Sequence, residues 1–283
     1  MNIKRSLAGT FLALCMILAG SGRASEPARS DSESRMLSAP DRHHKAVMLS
    51  LVAIAENGQT TPAFNYAENL HDGRGITFGF IGFTTGTYDG NIWLHRYTAL
   101  NPNNRLAKYI PALDAIDAGP HPHGKHDDIT RLGGFINAVH ASLNDPFFQQ
   151  SQLEIMDELY WSASVTMARD LGICHNITLA QIFDASVQMG ATGMADLVTQ
   201  TNASLGGAPK DGIDEFSWLQ AFLDARILVL ARDPVWNESV DRVHMYRRLL
   251  ATGNSALQPP FAVTCYGLPF TVTGERVSIS FEK

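Results

Sequence analysis

The chain has 283 residues, 45% of them hydrophobic, and a net charge of −6 with Lys and Arg dispersed rather than blocked. That length can bury a substantial core. The charge pattern gives no footprint for nucleic acid.

Lys4 and Arg5 precede an apolar run from Leu7 to Ala19, followed by small residues and Gly22-Arg23-Ala24. This is the layout of a secretory signal peptide, with cleavage expected after Ala24. The run is too short to span a bilayer comfortably. Cys15 raises a lipoprotein alternative, which the bulky Leu14 before it disfavours. Residues 25–40 are rich in Ser, Pro and charge without periodicity and read as a flexible linker, leaving 41–283 as one catalytic-size domain in two lobes. An exported chain of this kind is expected to be secreted and free of the membrane after cleavage. Its two remaining cysteines, Cys174 and Cys265, either pair or stay as two buried thiols.

Apolar residues at Val47, Leu51 and Ile54, with Met48, Val52 and Ala55 beside them, predict an amphipathic helix from Asp41, its N-cap, to Ala55. Glu56 then falls in or just past the last turn. There the negative end of the helix dipole and an apolar backing would both raise its pKa, as a general acid requires. A solvated Glu at a frayed helix end is the alternative. Asp72-Gly73 marks a turn, and Ile76, Phe78 and Phe80 alternate behind it as a strand. An Asp beside that turn, near Arg74 and Thr77, should stay ionised and could take a proton from water; an Asp that only closes its own turn is the plainer reading.

Asp89 reads as the N-cap of a helix with Ile92, Trp93, Tyr97 and Leu100 on one face, broken by Asn101-Pro102-Asn103-Asn104. Arg105 to Ile116 is a second helix, which Pro111 should kink or end. Gly119 to Asp128 is a loop. His121, His123 and His126 beside Asp127 and Asp128 match no metal-ligand spacing, so a solvated surface loop is preferred and no metal or cofactor is expected. Helices are then predicted over 132–143, 147–169, 179–189, 194–201, 215–232 and 240–251, punctuated by Gly172, Gly190, Gly206-Gly207 and Gly253. After Pro259-Pro260 the chain turns extended, with Val277, Ile279 and Phe281 alternating, as a tail that pairs with the small sheet or lies over the surface. No nucleophile elbow or phosphate-cradling loop occurs.

The run Glu56-Asn57, Tyr66, Glu68, Asp72-Gly73-Arg74-Gly75-x-Thr77, Ile81-Gly82-Phe83, Gly86-Thr87 and Asp89 closely resembles the chitosanases of glycoside hydrolase family 46. The likeness continues through Asn101-Pro102 and 106–113 and returns at 222–226. The resemblance implies a mainly α (α+β), lysozyme-like fold, with two lobes around a substrate cleft and a small antiparallel β-sheet. It implies Glu56 as general acid, Asp72 as general base and Thr77 as a hydroxyl that positions the attacking water. Tyr66, Arg74, Asp89 and Asp233 become substrate contacts, and Asp184, Arg226 and Arg242 a charge network behind the acid. The chain departs from the family at Asp233, shorter than the usual Glu, at Phe64 in place of Tyr and at Met189 in place of His. A helix-end acid and a base beyond a loop favour the separation of roughly 6.5–9.5 Å that inversion needs. The expected partner is therefore chitosan or its glucosamine oligosaccharides, a polycation suited to an acidic groove, and a monomer is expected. Peptidoglycan cleavage and non-catalytic glycan binding are the rival readings.

Overall fold

The first helix, α1 (Arg42–Asn57), is enclosed rather than amphipathic: every residue from Val47 to Glu56 is buried. The departure has a local cause. The one polar residue on its expected outer face, Ser50, returns its hydroxyl to the Ala46 carbonyl at 3.2 Å, so a later helix (Asn176–Leu205) and strand (Leu268–Val272) can cover this one at little cost in lost hydrogen bonds. The computed structural model describes residues 42–232 and 237–274. The signal peptide, the linker, Asp41, Asp233 and the Val277–Phe281 alternation lie outside the described residues.

Beyond α1 the chain builds a small sheet. Strands β1 (Ala67–Asn69), β2 (Ile76–Phe78) and β3 (Phe83–Thr84) are antiparallel in that order, with Glu68 opposite Thr77 and Thr77 opposite Thr84. The predicted alternation through Phe80 stops early, because Gly79 turns at φ 73° and sends Phe80 into the aromatic core with Phe78 and Phe83. Gln152 ties this turn down, accepting from Phe80 N at 3.1 Å and donating to the Phe64 carbonyl at 2.9 Å.

Helix α2 (Asp89–Leu100) buries Trp93, Leu94 and Tyr97, whereas Ile92, expected inside, is 47% exposed. The expected helix at 105–116 is a 3₁₀ turn (Ala107–Tyr109) followed by α3 (Ile110–Asp117). Pro111 sits in the first turn of α3, where a missing N–H costs nothing, so it starts the helix instead of kinking it. Gly134, at φ 80°, delays α4 to Phe135–His140. Helix α5 (Pro146–Met156), capped by Asp145 on Phe147 N at 2.9 Å, runs through a π-turn (Asp157–Trp161) into α6 (Ser162–Leu171). The two helices expected around Gly190 are the halves of α7 (Asn176–Leu205), broken there at φ 75°, ψ 165°. Helices α8 (Glu215–Arg232) and α9 (Val240–Ala251) fall where the periodicity puts them.

The segment after the prolines is a separate hairpin, β4 (Phe261–Cys265) and β5 (Leu268–Val272). It packs on α9 and α1 instead of joining the first sheet. Cys174 and Cys265 are not joined to each other; Cys265 is buried in β4 and Cys174 precedes α7. The fold is thus mainly α with small antiparallel sheets. Helices α2 and α4 pack on the first sheet, with α3 and α5 against α2; α6, α8 and α9 pack on α7, which also contacts α1; and the π-turn touches α5, α6 and α7, joining the two groups. Among the described residues no helix is long and apolar enough to cross a membrane.

Candidate active site

Glu56 is the penultimate residue of α1 and only 2% exposed. Its Oε1 accepts from Arg242 Nη1 at 2.8 Å, while Oε2 meets no hydrogen-bond partner among the described residues. Burial pushes its pKa up to about 7; the opposing pull of Arg242 does not cancel that desolvation. Arg242 is shared. Its Nε and Nη2 reach Asp184 Oδ2 and Oδ1 at 3.1 and 2.7 Å. Asp184 also takes Arg226 Nη1 at 2.8 Å, and Arg226 continues to the amide of Gln188, which donates to Ser239 at 2.8 Å. Burial alone would raise the Asp184 pKa, but the two guanidinium groups outweigh it and hold the carboxyl below the usual range. Four ionisable groups from α1, α7, α8 and α9 are therefore joined in one dry chain that ends on Glu56. Buried charges persist only when paired in this way.

Asp72 lies at the tip between β1 and β2. Its Oδ1 accepts from Arg74 N at 3.1 Å and its Oδ2 from Arg74 Nε at 3.0 Å and from Nη2. The turn-closing role open to Asp72 is thus present, with a full ion pair added to it. Arg74 is committed to that pairing, and its Nη1 is buried without a partner among the described residues. Thr77, on β2, is wholly buried, and its Oγ1 likewise has no partner among the described residues. Tyr66, just before β1, donates its hydroxyl to Glu68 at 3.1 Å, and burial raises its pKa well above the ordinary range.

Asp89 is the first residue of α2; Tyr88, at φ 72°, holds the cap position expected of Asp89. The carboxylate turns back to close the preceding turn, its Oδ1 accepting from Thr84 N at 3.2 Å, Thr87 Oγ1 at 2.9 Å and Gly90 N at 3.0 Å. Burial lifts its pKa to about 6 against those bonds and the attraction of Arg74.

Tyr160, in the π-turn, has its phenol pKa raised by burial first and then by the charges of Asp89 and Glu56. Arg74, which holds Asp72, acts in turn on Asp89. Tyr160 thus lies near enough to Asp89 and Glu56 to feel the charge of both. Sequence reasoning missed Tyr160. Its helical spacing looks like any other position of a long helix, and only the extra residue of a π-turn, a common functional device, sets it apart.

The loop at 119–128 is less exposed than expected. His121 stacks on Tyr88 with ring centroids 4.3 Å apart, and His126 N donates to the Gly86 carbonyl at 2.9 Å. Among the described residues no group of three or more His, Cys, Asp or Glu side chains could hold a metal.

A buried carboxyl that keeps its proton near neutrality and, elsewhere in the same chain, an ion-paired carboxylate are the two kinds of acidic group a glycoside hydrolase uses. The chain belongs to glycosyl hydrolase family 46, whose profile matches residues 50–261. It is 35% identical to a chitosanase of Bacillus subtilis (strain 168), over 82% of this chain and 86% of that one. It is 31% identical to a chitosanase of Streptomyces sp. (strain N174), over 82% and 83%. The fold superposes with a TM-score of 0.75 on a mutant chitosanase from Bacillus subtilis MY002 complexed with 6 GlcN, at 33% identity over 82% of this chain and 99% of that one. With a Gynuella sunshinyii chitosanase in complex with chitotetraose the TM-score is 0.74, at 31% identity over 81% and 97%.

Proposed function

We propose that the protein is a secreted, monomeric endo-chitosanase that cuts β-1,4 links between glucosamine units with inversion and without metal or cofactor. Glu56 is the general acid, Asp72 the general base, and Thr77 offers its buried hydroxyl to the attacking water. The observation that carries the reading is the state of Glu56. One oxygen is fixed by Arg242, the other is unpartnered among the described residues, and the pKa stands at about 7, so a proton is held where a leaving oxygen could take it.

The remaining residues support those roles. Arg242, itself held by Asp184, fixes the orientation of the acid, and the charges of Arg242 and Arg226 keep its pKa from rising further. Arg74 holds the Asp72 carboxylate by pairing with it, which makes Arg74 a partner of the base before it is a contact for sugar. Asp89 and Tyr66 are substrate contacts by the family pattern, and Asp89 offers negative charge to a glucosamine amine once it ionises above about pH 6. A similar contact is assigned to Asp233 by the family pattern alone. That the related chitosanases are complexed with 6 GlcN in one case and with chitotetraose in the other supports the substrate class.

Hydrolysis of glucosamine hexamer by the wild type, Glu56→Gln and Asp72→Asn tests the assignment. Each variant should lose roughly 10²- to 10⁴-fold in kcat, the usual cost of removing a general acid or base. Full activity in either one refutes it. Reducing ends released faster from peptidoglycan than from chitosan would refute the substrate.

A further inference from the structure

The tip that carries Asp72 is a weak place to mount a catalytic base. It joins two strands of three residues each, and the side chain that grips the carboxylate, Arg74, belongs to the same tip. The ion pair therefore makes the turn rigid within itself but does not fix it to the body of the protein. A second segment supplies that connection. Lys125, in the loop between α3 and α4, extends across the turn and donates from Nζ to the backbone carbonyl of Asp72 at 2.7 Å. Its stem lies over Gly73, where a Cβ would stand 3.1 Å from Cε and 3.2 Å from Nζ, at a φ of +84° that favours glycine in any case.

The neighbouring residue completes the attachment. His126 N donates to the Gly86 carbonyl at 2.9 Å, and Gly86 N donates to the Arg74 carbonyl at 3.0 Å. A Cβ at Gly86 would run into the His126 carbonyl, so the two backbones meet with no room for a side chain. Two consecutive loop residues thus secure both ends of Asp72–Arg74, one directly and one through Gly86. The far end of the same loop is held by the stacking of His121 on Tyr88.

We propose that Lys125 is a positioning residue for the base: through the Asp72 carbonyl it sets where the carboxylate stands relative to the attacking water. The inference rests on the reading of Asp72 as general base. Lys125 touches neither water nor sugar in this role, so its removal should act on turnover and leave substrate affinity alone. A misplacement of about 1 Å in a reacting group costs roughly 10²-fold in rate, which sets the scale of the effect.

The experiment compares Lys125→Met, which keeps the stem and removes the donor, with Lys125→Arg, which restores one, each alone and with Asp72→Asn, on glucosamine hexamer. Lys125→Met should lower kcat by about 10- to 100-fold with KM within about twofold, and Lys125→Arg should recover most of the loss. In the Asp72→Asn background Lys125→Met should change the residual rate less than about twofold, because the group it positions is already disabled. Unchanged melting midpoints, within about 4 °C, show that the fold is intact. A Lys125→Met enzyme with wild-type kcat, a loss confined to KM, failure of Arg to recover activity, or a full further loss in the Asp72→Asn background overturns the proposal. Full activity in Asp72→Asn alone overturns the underlying assignment of the base instead, so the two failures are distinguishable.

Discussion

Replacing Glu56 by Gln should make the protein more stable in alkali relative to the wild type while it abolishes turnover. In the folded protein the Glu56 pKa stands at about 7, against 4.5 for the free side chain. The unfolded chain therefore releases this proton at lower pH than the folded one. The stability it contributes is fully present below the unfolded pKa and is lost as pH rises through the folded value. Integrated from pH 5 to pH 8, this one group removes on the order of 2–3 kcal/mol from the wild type. Gln imitates the protonated acid at every pH, so the variant escapes that loss, while the other buried carboxyls titrate alike in both proteins and cancel. The melting midpoint of Glu56→Gln minus that of the wild type should therefore grow by roughly 5–10 °C between pH 5 and pH 8. Differential scanning calorimetry of the two proteins at several pH values reads it directly. A difference that does not change with pH would show that Glu56 already ionises near its ordinary value and is not a poised acid.

The same raised pKa should appear in kinetics, where kcat/KM falls as pH rises with an alkaline limb near pH 7, and a limb below about pH 5 would contradict the effect of burial. Arg242→Met leaves Asp184 and Glu56 short of a buried partner and should cost about 3–5 kcal/mol in a urea melt. Because Arg242 lowers the Glu56 pKa, its loss should also move the alkaline limb upward in whatever folded fraction remains. Thr77→Val removes a hydroxyl that bonds nothing among the described residues, so its melting midpoint should match or exceed that of the wild type while kcat falls roughly 10- to 100-fold. Loss of stability without loss of turnover would make Thr77 a packing residue.

How far the sequence reveals this arrangement differs from one residue to the next. Glu56 is readable because helix period and dipole are local properties, and they place it in the last turn of α1 as found. The burial of α1 on all sides is not readable, since its cover comes from α7 and β5, over a hundred residues further on in the chain. Helices α8 and α9 are legible to the residue, with long runs and clear ends, whereas α3 is easily misjudged because the same Pro111 can end one helix or begin another. Charged residues within the apolar runs at Asp184 and Arg226 signal that partners are needed, and the family pattern, not spacing, points to each other and to Arg242. Tyr160 and Lys125 give no signal. One depends on a π-turn, the other on a loop folding back across the tip of a distant hairpin, and neither property has a local sequence signature.

In the proposed mechanism Glu56 gives a proton to the leaving oxygen while Asp72 directs water at the opposite face of the same sugar. Proton NMR of the anomeric signals during the first minutes of glucosamine hexamer digestion tests it most directly. Newly formed reducing ends should appear as the α-anomer and reach the β-anomer only by later mutarotation. Initial release of the β-anomer would mean two displacements through a covalent intermediate, and neither Asp72 as base nor Thr77 as holder of the water would survive that result.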